Sequence, residues 1–198
     1  MLDYKIKIGL VPDVRDLGDF ATRKGIFEPA KGVERKNEIV EYIKNSFSDE
    51  LTEFTDLEWL NELGVLYKNT DSETVCTYLK KEKVDAIFII NCNFGNEEVC
   101  GRVAREMGLP VLLWGPQDMV FEPDGMRYTD SQCGLFAISK QLRRYHVPFS
   151  YIENCPVQSE IFKEGLEHFL SVVTMVKNFK KLTVTQVGTT LTPFKSVM

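Results

Sequence analysis

Five times in succession this chain passes from a short apolar stretch into residues whose apolar members recur at helical spacing, and that alternation constrains the fold more than any other feature. Ile6 to Val11 alternates and ends at Pro12, as a strand does, and Val33, Ile39, Val40, Ile43 and Phe47 then share one helical face. Thr55 to Leu60 is a weaker strand, followed by Asp71 or Ser72 as the cap of a helix carrying Val75, Tyr78 and Leu79. Val84 to Ile90 is a continuous apolar run of strand length; Val99, Val103 and Met107 mark a helix that Gly108 stops. Pro110 to Gly115 is a short buried strand, and Gln132 to Tyr145 a helix with Leu135, Ile138 and Leu142 on one side. Val147 to Ile152 makes the fifth strand. A long helix from Pro156 through Phe179 then buries Ile161, Phe162, Leu166, Phe169, Leu170 and Val173.

Strand–helix units in a row require a parallel sheet with helices on both faces and right-handed crossovers. The α/β arrangement that follows is a flavodoxin-like, doubly wound parallel sheet of strand order 2-1-3-4-5. Leu182 to Val187 has the character of a sixth, C-terminal extra strand outside that plan. Residues 1–180 therefore form the flavodoxin-like domain, and residues 181–198 read as the start of a second one.

Composition narrows the function classes. The net charge is −5 and no basic stripe is present, which argues against a nucleic-acid partner, since phosphate neutralisation needs clustered Lys and Arg. No apolar run approaches the ~18 residues of a membrane helix, and Met1 to Ile8 lacks a signal-peptide core, so no membrane partner and a cytoplasmic location are expected. The five cysteines are odd in number and lack any CxxC, which reads as reduced thiols. His146 and His168 lie far apart in helical patterns and make no ligand pair with a cysteine, so no metal site is expected in this chain.

In a parallel sheet the functional edge is built by the loops that follow the strands. These are Asp13 to Asp16, Asn91 to Gly95, Trp114 to Asp118, and Glu153-Asn154. There is no GxGxxG after the first strand and no GxxxxGK[ST], which removes the dinucleotide and P-loop sites. Asn91 stands where a phosphoacceptor domain would want an aspartate, and Pro12-Asp13-Val14-Arg15 is not a flavin phosphate loop. What remains is amides, one arginine, one tryptophan and short acids. That inventory suits a polyhydroxylated ligand, with amides and Arg matching hydroxyls and an aromatic face covering C–H groups. The candidate substrate-contacting residues are Arg15, Asn91, Cys92, Asn93, Trp114 and Gln117, expected along one rim. An equally physical reading makes Asn93 a helix cap, with Glu97 and Glu98 in its first turn, and Trp114 a core residue.

The runs "NCNFGNEEV", "LPVLLWGPQD" and "MRYTDSQCGLFAISKQLRRYHVPFSYIEN" resemble the N-terminal domain of the L-fucose isomerase and L-arabinose isomerase superfamily. The likeness extends to "KIKIGLVPDVRD" at the start and "LTVTQVGTTLTPFKSVM" at the end, so it covers the chain in order. It implies part of an aldose–ketose isomerase that uses a divalent metal, commonly manganese, held by two carboxylates and a histidine of later domains. It implies a first domain that acts as a lid, its strand-end loops reaching a monosaccharide in a neighbouring subunit of a homo-oligomer. On that reading "NCNFG" presents a side chain to the neighbour's sugar; relatives often carry an aromatic residue near the position of Cys92. Every metal ligand and catalytic acid or base of the family would lie beyond Met198, so this chain alone is expected to hold no catalytic residue and no cofactor, to be inactive, and to depend on the missing isomerase domains. The alternatives are a stand-alone, non-catalytic sugar-binding or assembly module, and an unrelated flavodoxin-like regulator.

Overall fold

The computed structural model describes residues 4–15, 25–118, 125–185 and 187–188. Its elements run β1 (Ile6–Asp13), α1 (Pro29–Phe47), β2 (Thr52–Thr55), α2 (Ser72–Lys81), β3 (Ala86–Asn91), α3 (Glu97–Met107), β4 (Val111–Trp114), α4 (Ser131–Arg144), β5 (Ser150–Tyr151) and α5 (Glu160–Lys180). The sheet has the order β2-β1-β3-β4-β5, every pairing parallel, as the alternation of strand and helix patterns requires.

Strand parity divides the core in two. Ile8, Leu10, Phe88, Ile90 and Trp114 point to the face covered by α1 and α5, where Ile39, Ile43, Phe162, Leu166 and Phe169 meet them. Val11, Ile87, Ile89, Val111 and Leu113 point to the other face and pack on α2, α3 and α4 through Val75, Leu79, Val99, Val103, Leu135 and Ile138. All six residues of β3 are buried, because helices cover both of its faces.

Several boundaries differ from the sequence reading. β2 lies at Thr52–Thr55 rather than 55–60: it pairs with β1 from Ile6↔Thr52, and the chain turns at Asp56, whose side chain accepts the Glu58 N–H at 3.1 Å. β5 shrinks from 147–152 to Ser150–Tyr151, since Pro148 has no N–H to donate and β4 offers it only Leu112 and Leu113. α5 begins at Glu160, where Ser159 accepts the Phe162 N–H, and Ile161 is half exposed instead of buried. The expected extra strand is also corrected. Leu182 to Thr185 and Val187 form no strand and are exposed, having no sheet neighbour among the described residues. No helix among the described residues is long and apolar enough to cross a membrane.

Candidate functional site

The carboxyl edge of the sheet is assembled by backbone and side chain together. β1 and β3 stay paired to their last residues, Asp13↔Asn91, and the Cys92 N–H then donates to the Asp13 carbonyl at 3.0 Å. Beyond them the chains turn to opposite sides, the switch point at which α/β sheets open. Asn93 fills that opening. Its Oδ1 accepts the N–H groups of Arg15 at 2.9 Å, Phe94 at 2.5 Å and Gly95 at 3.2 Å, so one buried amide folds its own loop and ties it to the end of β1.

α3 is entered without a side-chain cap. The residue before it, Asn96, turns its amide away to donate to the Tyr67 carbonyl at 2.7 Å, and its own N–H donates to Asp13 Oδ2 at 2.7 Å. Gly95 takes a positive φ of 74° there, and a Cβ at that position would stand 2.1 Å from Asp13 Oδ2. Glu97 and Glu98 occupy the first turn, where the helix dipole favours them.

Of the six candidate residues, four are shut away from solvent. Trp114 lies in the core against Phe162, ring centroids 4.5 Å apart, because strand parity turns it toward α5. Cys92 faces the same core, and burial together with the neighbouring Asp13 pushes its thiol far up. Asn91 and Asn93 are buried, with Asn91 Nδ2 donating to the Phe94 carbonyl and Asn93 Oδ1 accepting the Arg15 N–H, while Asn91 Oδ1 and Asn93 Nδ2 have no partner. An open rim made of these four side chains is therefore not what the fold builds. Asn93 is no helix cap either, since that position belongs to Asn96.

Arg15 and Gln117 do reach the edge. The Arg15 guanidinium lies 4.5 Å over the Phe94 ring and pairs with Glu97 at 2.7 Å. Phe94 in turn meets Phe27 at 4.7 Å, so an aromatic pair roofs the switch point. The exposed Gln117 donates its N–H to the Cys155 carbonyl and accepts Arg35 on its own carbonyl, leaving its side chain on the surface.

The β4 loop is held by residues the sequence reading did not single out. Asp118 pairs with Arg35 at 2.9 Å and accepts both the N–H and the hydroxyl of Ser131 at the start of α4. Asn154 donates to the Gly115 and Pro116 carbonyls at 2.8 and 3.0 Å. A cleft of about 180 Å³ opens beside this loop between α1 and the approach to α4, lined by Lys31, Glu34, Arg35, Glu38, Arg127 and Tyr128 among others. Phe94, Asp118 and Asn154 all lie in the loops after strands three, four and five, which was the signal available for them; their partners are far away in sequence.

Two larger hollows are elsewhere. A mostly apolar groove of about 480 Å³ follows Leu109, Pro110, Phe149 and Val176 along the amino edge, and an open hollow of about 650 Å³ lies between α2, α3 and Tyr145. Position relative to the strand ends, rather than size, singles out the carboxyl edge.

No curated protein matches this sequence. Among solved structures, the response regulator domain of Thermotoga maritima CheB is 13% identical, covering 88% of this chain and 97% of its own, at a TM-score of 0.38. An azoreductase from Bacillus anthracis str. Sterne is 10% identical, covering 86% and 99%, at a TM-score of 0.36. Likenesses that loose carry no argument about this chain. The family model described as "Fucose/sulfoquinovose isomerase, N-terminal domain" matches residues 18–180, which span the sheet from β2 to β5, all of its helices and every loop of the carboxyl edge after β1. This chain belongs to the fucose/sulfoquinovose isomerase N-terminal domain family.

Proposed function

We propose that this domain is the substrate lid and assembly domain of an aldose–ketose isomerase acting on a neutral monosaccharide such as L-fucose or arabinose. The family match over residues 18–180 is the observation that carries it. In this reading Arg15 and Gln117 are the side chains offered to a sugar bound by a neighbouring subunit, and Phe94 supplies the aromatic face. Phe94 sits two residues past Cys92 on the loop where relatives often carry an aromatic residue.

The charge pattern favours a neutral sugar over a sulfonated one. Among the described residues, each arginine of the edge has a carboxylate: Arg15 has Glu97 at 2.7 Å, Arg35 has Asp118 at 2.9 Å, and Arg127 has Asp130 at 2.9 Å. A sulfonate would have to displace one of these partners, and a hydroxyl would not.

The described residues do not fit a manganese site. Among the described residues no group of three or more His, Cys, Asp or Glu side chains is placed to hold a metal ion, and several ligands must be fixed together for one to bind. We therefore assign the metal and the acid–base chemistry to other domains and residues 181–198 to the approach to the next one. The domain's own share is binding geometry.

Incubating the purified chain with L-fucose, D-arabinose or L-arabinose and manganese tests the reading. No ketose should form, and sugar affinity should be millimolar at best, about −4 kcal/mol. Manganese-dependent ketose formation by this chain alone would overturn it. In an assembly that supplies the other domains, Gln117→Ala should raise KM with little change in the domain's stability.

A further inference from the structure

The last helix carries more apolar surface than the sheet can cover. α5 buries Phe162, Leu166, Phe169 and Val173 in the core, yet Ile161, Met175 and Phe179 stay 50%, 62% and 76% exposed. Their spacing is regular. At 3.6 residues per turn Ile161, Gly165, His168, Val172, Met175 and Phe179 fall within about 80° of arc, centred about 110° round the helix from the core residues. Ile161, His168, Met175 and Phe179 are exposed along this stripe, with Gly165 and Val172 half-buried between them. Val172 also lines the apolar groove of about 480 Å³ with Leu109 and Phe149, so on that side the stripe runs into a hollow and not into a polar flank. Single apolar residues on a surface are ordinary, but a stripe the length of a helix that adjoins a groove marks a contact face.

We propose that this face joins two copies of the chain, their α5 helices packed antiparallel about a two-fold axis near Leu170. The stripe is its own complement in that arrangement. Residues equidistant from Leu170 meet in an isologous pairing, which sets Ile161 against Phe179 of the second copy, His168 against Val172, and Gly165 against Met175. The glycine leaves a hole for the protruding methionine, as knobs-into-holes packing requires. Charge selects the same orientation. Glu160, Glu164 and Glu167 lie in the first half of α5, and Lys177, Lys180 and Lys181 at its end. An antiparallel pair brings unlike ends together, as the helix dipoles also favour, whereas a parallel pair would stack like on like. The acids beside the stripe disfavour an anionic lipid surface as its cover. The contact deepens the assembly role proposed above and rests on that reading only for its use in an enzyme. Sugar turnover tests that reading; association of the chain tests the contact.

Sedimentation of the purified chain from micromolar to millimolar concentration reads it. Monomer should pass to dimer, and Met175→Glu or Phe179→Glu should raise the dissociation constant by about tenfold or more. Both positions are exposed in the single chain, so the urea midpoint should not move. Oxidation in a Cys133→Ser background, which lacks the exposed thiol, reads the orientation. Ile161→Cys together with Phe179→Cys should link two copies. Phe179→Cys alone should not, since its two copies stand about 27 Å apart along an antiparallel pair at 1.5 Å per residue. A chain that stays monomeric at every concentration would overturn the proposal and give the stripe to a partner of another sequence. A dimer that neither glutamate weakens would overturn it by placing the contact elsewhere, and linkage through Phe179→Cys alone would overturn the antiparallel register.

Discussion

Gly134, in the first turn of α4, lies so close to the β3 loop that a Cβ there would stand 2.0 Å from the Phe94 carbonyl oxygen. It would also stand 2.2 Å from Asn91 Nδ2. The helix therefore clamps the same carbonyl that Asn91 holds from below. Backbone cannot yield as a flexible side chain can, so Gly134→Ala should destabilise the domain by at least ~2 kcal/mol, the scale of overpacking a tight core. Urea denaturation measures it. A loss below about 0.5 kcal/mol would show that α4 can slide away from the loop.

Removing the Asn93 amide should cost more than a surface change does. Its Oδ1 satisfies three backbone N–H groups, and in Asn93→Ala those of Arg15 and Gly95 must find water or stay unpaired. Each buried orphan costs about 1–3 kcal/mol, partly relieved by solvent entering the loop, so a total near 2–3 kcal/mol is expected. Amide exchange at Arg15 and Gly95 should rise in step. Unchanged exchange at Arg15 would mean that the link between the two loops is carried elsewhere.

Stability should fall as pH rises through the window set by Asp13. Its carboxyl moves from an ordinary 3.8 to about 7 on folding, by burial. Below 3.8 both states hold the proton; between 3.8 and 7 only the folded state does, so each step upward in pH favours unfolding; above 7 the penalty is complete. Its size is about 4 kcal/mol, because each tenfold gain in proton affinity on folding is worth about 1.36 kcal/mol. Glu53, Glu98 and Glu106, held low by Lys5, Arg102 and Lys80, act with the opposite sign at more acid pH. The difference between wild type and Asp13→Asn across about pH 4 to 8 isolates the Asp13 share. A difference that does not change with pH would remove it.

Thiol labelling should separate one cysteine from four. Cys133 is exposed, whereas Cys76, Cys92, Cys100 and Cys155 are buried. Cys133 alone should react with a disulfide reagent in the native chain, and more slowly at neutral pH than a free thiol, because its contact with Asp130 raises it. All five should react in denaturant. Two or more fast thiols without denaturant would mean that an element covering the core opens readily.

The order of the sheet could be read from the sequence because it depends on local pattern. A continuous apolar run such as Ala86 to Ile90 is stable only with helices on both faces, and five strand–helix units leave few right-handed ways to arrange them. The ends of strands were less legible. β2 stops because the chain turns at Asp56 although β1 runs on to Asp13, and β5 is limited to its pairing with Leu112 and Leu113, which lie far from Ser150 along the chain. The same reason governs the site. That amides gather after β3 is visible in "NCNFGN", but whether an amide faces outward to a ligand or inward to its own loop depends on what the other loops bring. Here Arg15 and Phe94 bring backbone N–H groups to Asn93, and Phe94 brings a carbonyl to Asn91. Trp114 went to the core rather than the rim because strand parity faces it toward Phe162, a residue 48 positions on in sequence. Local pattern thus determined the layers and the loops that make the functional edge. Only the tertiary structure decided which of those side chains remain free, because a buried polar group takes whatever partner the fold sets beside it.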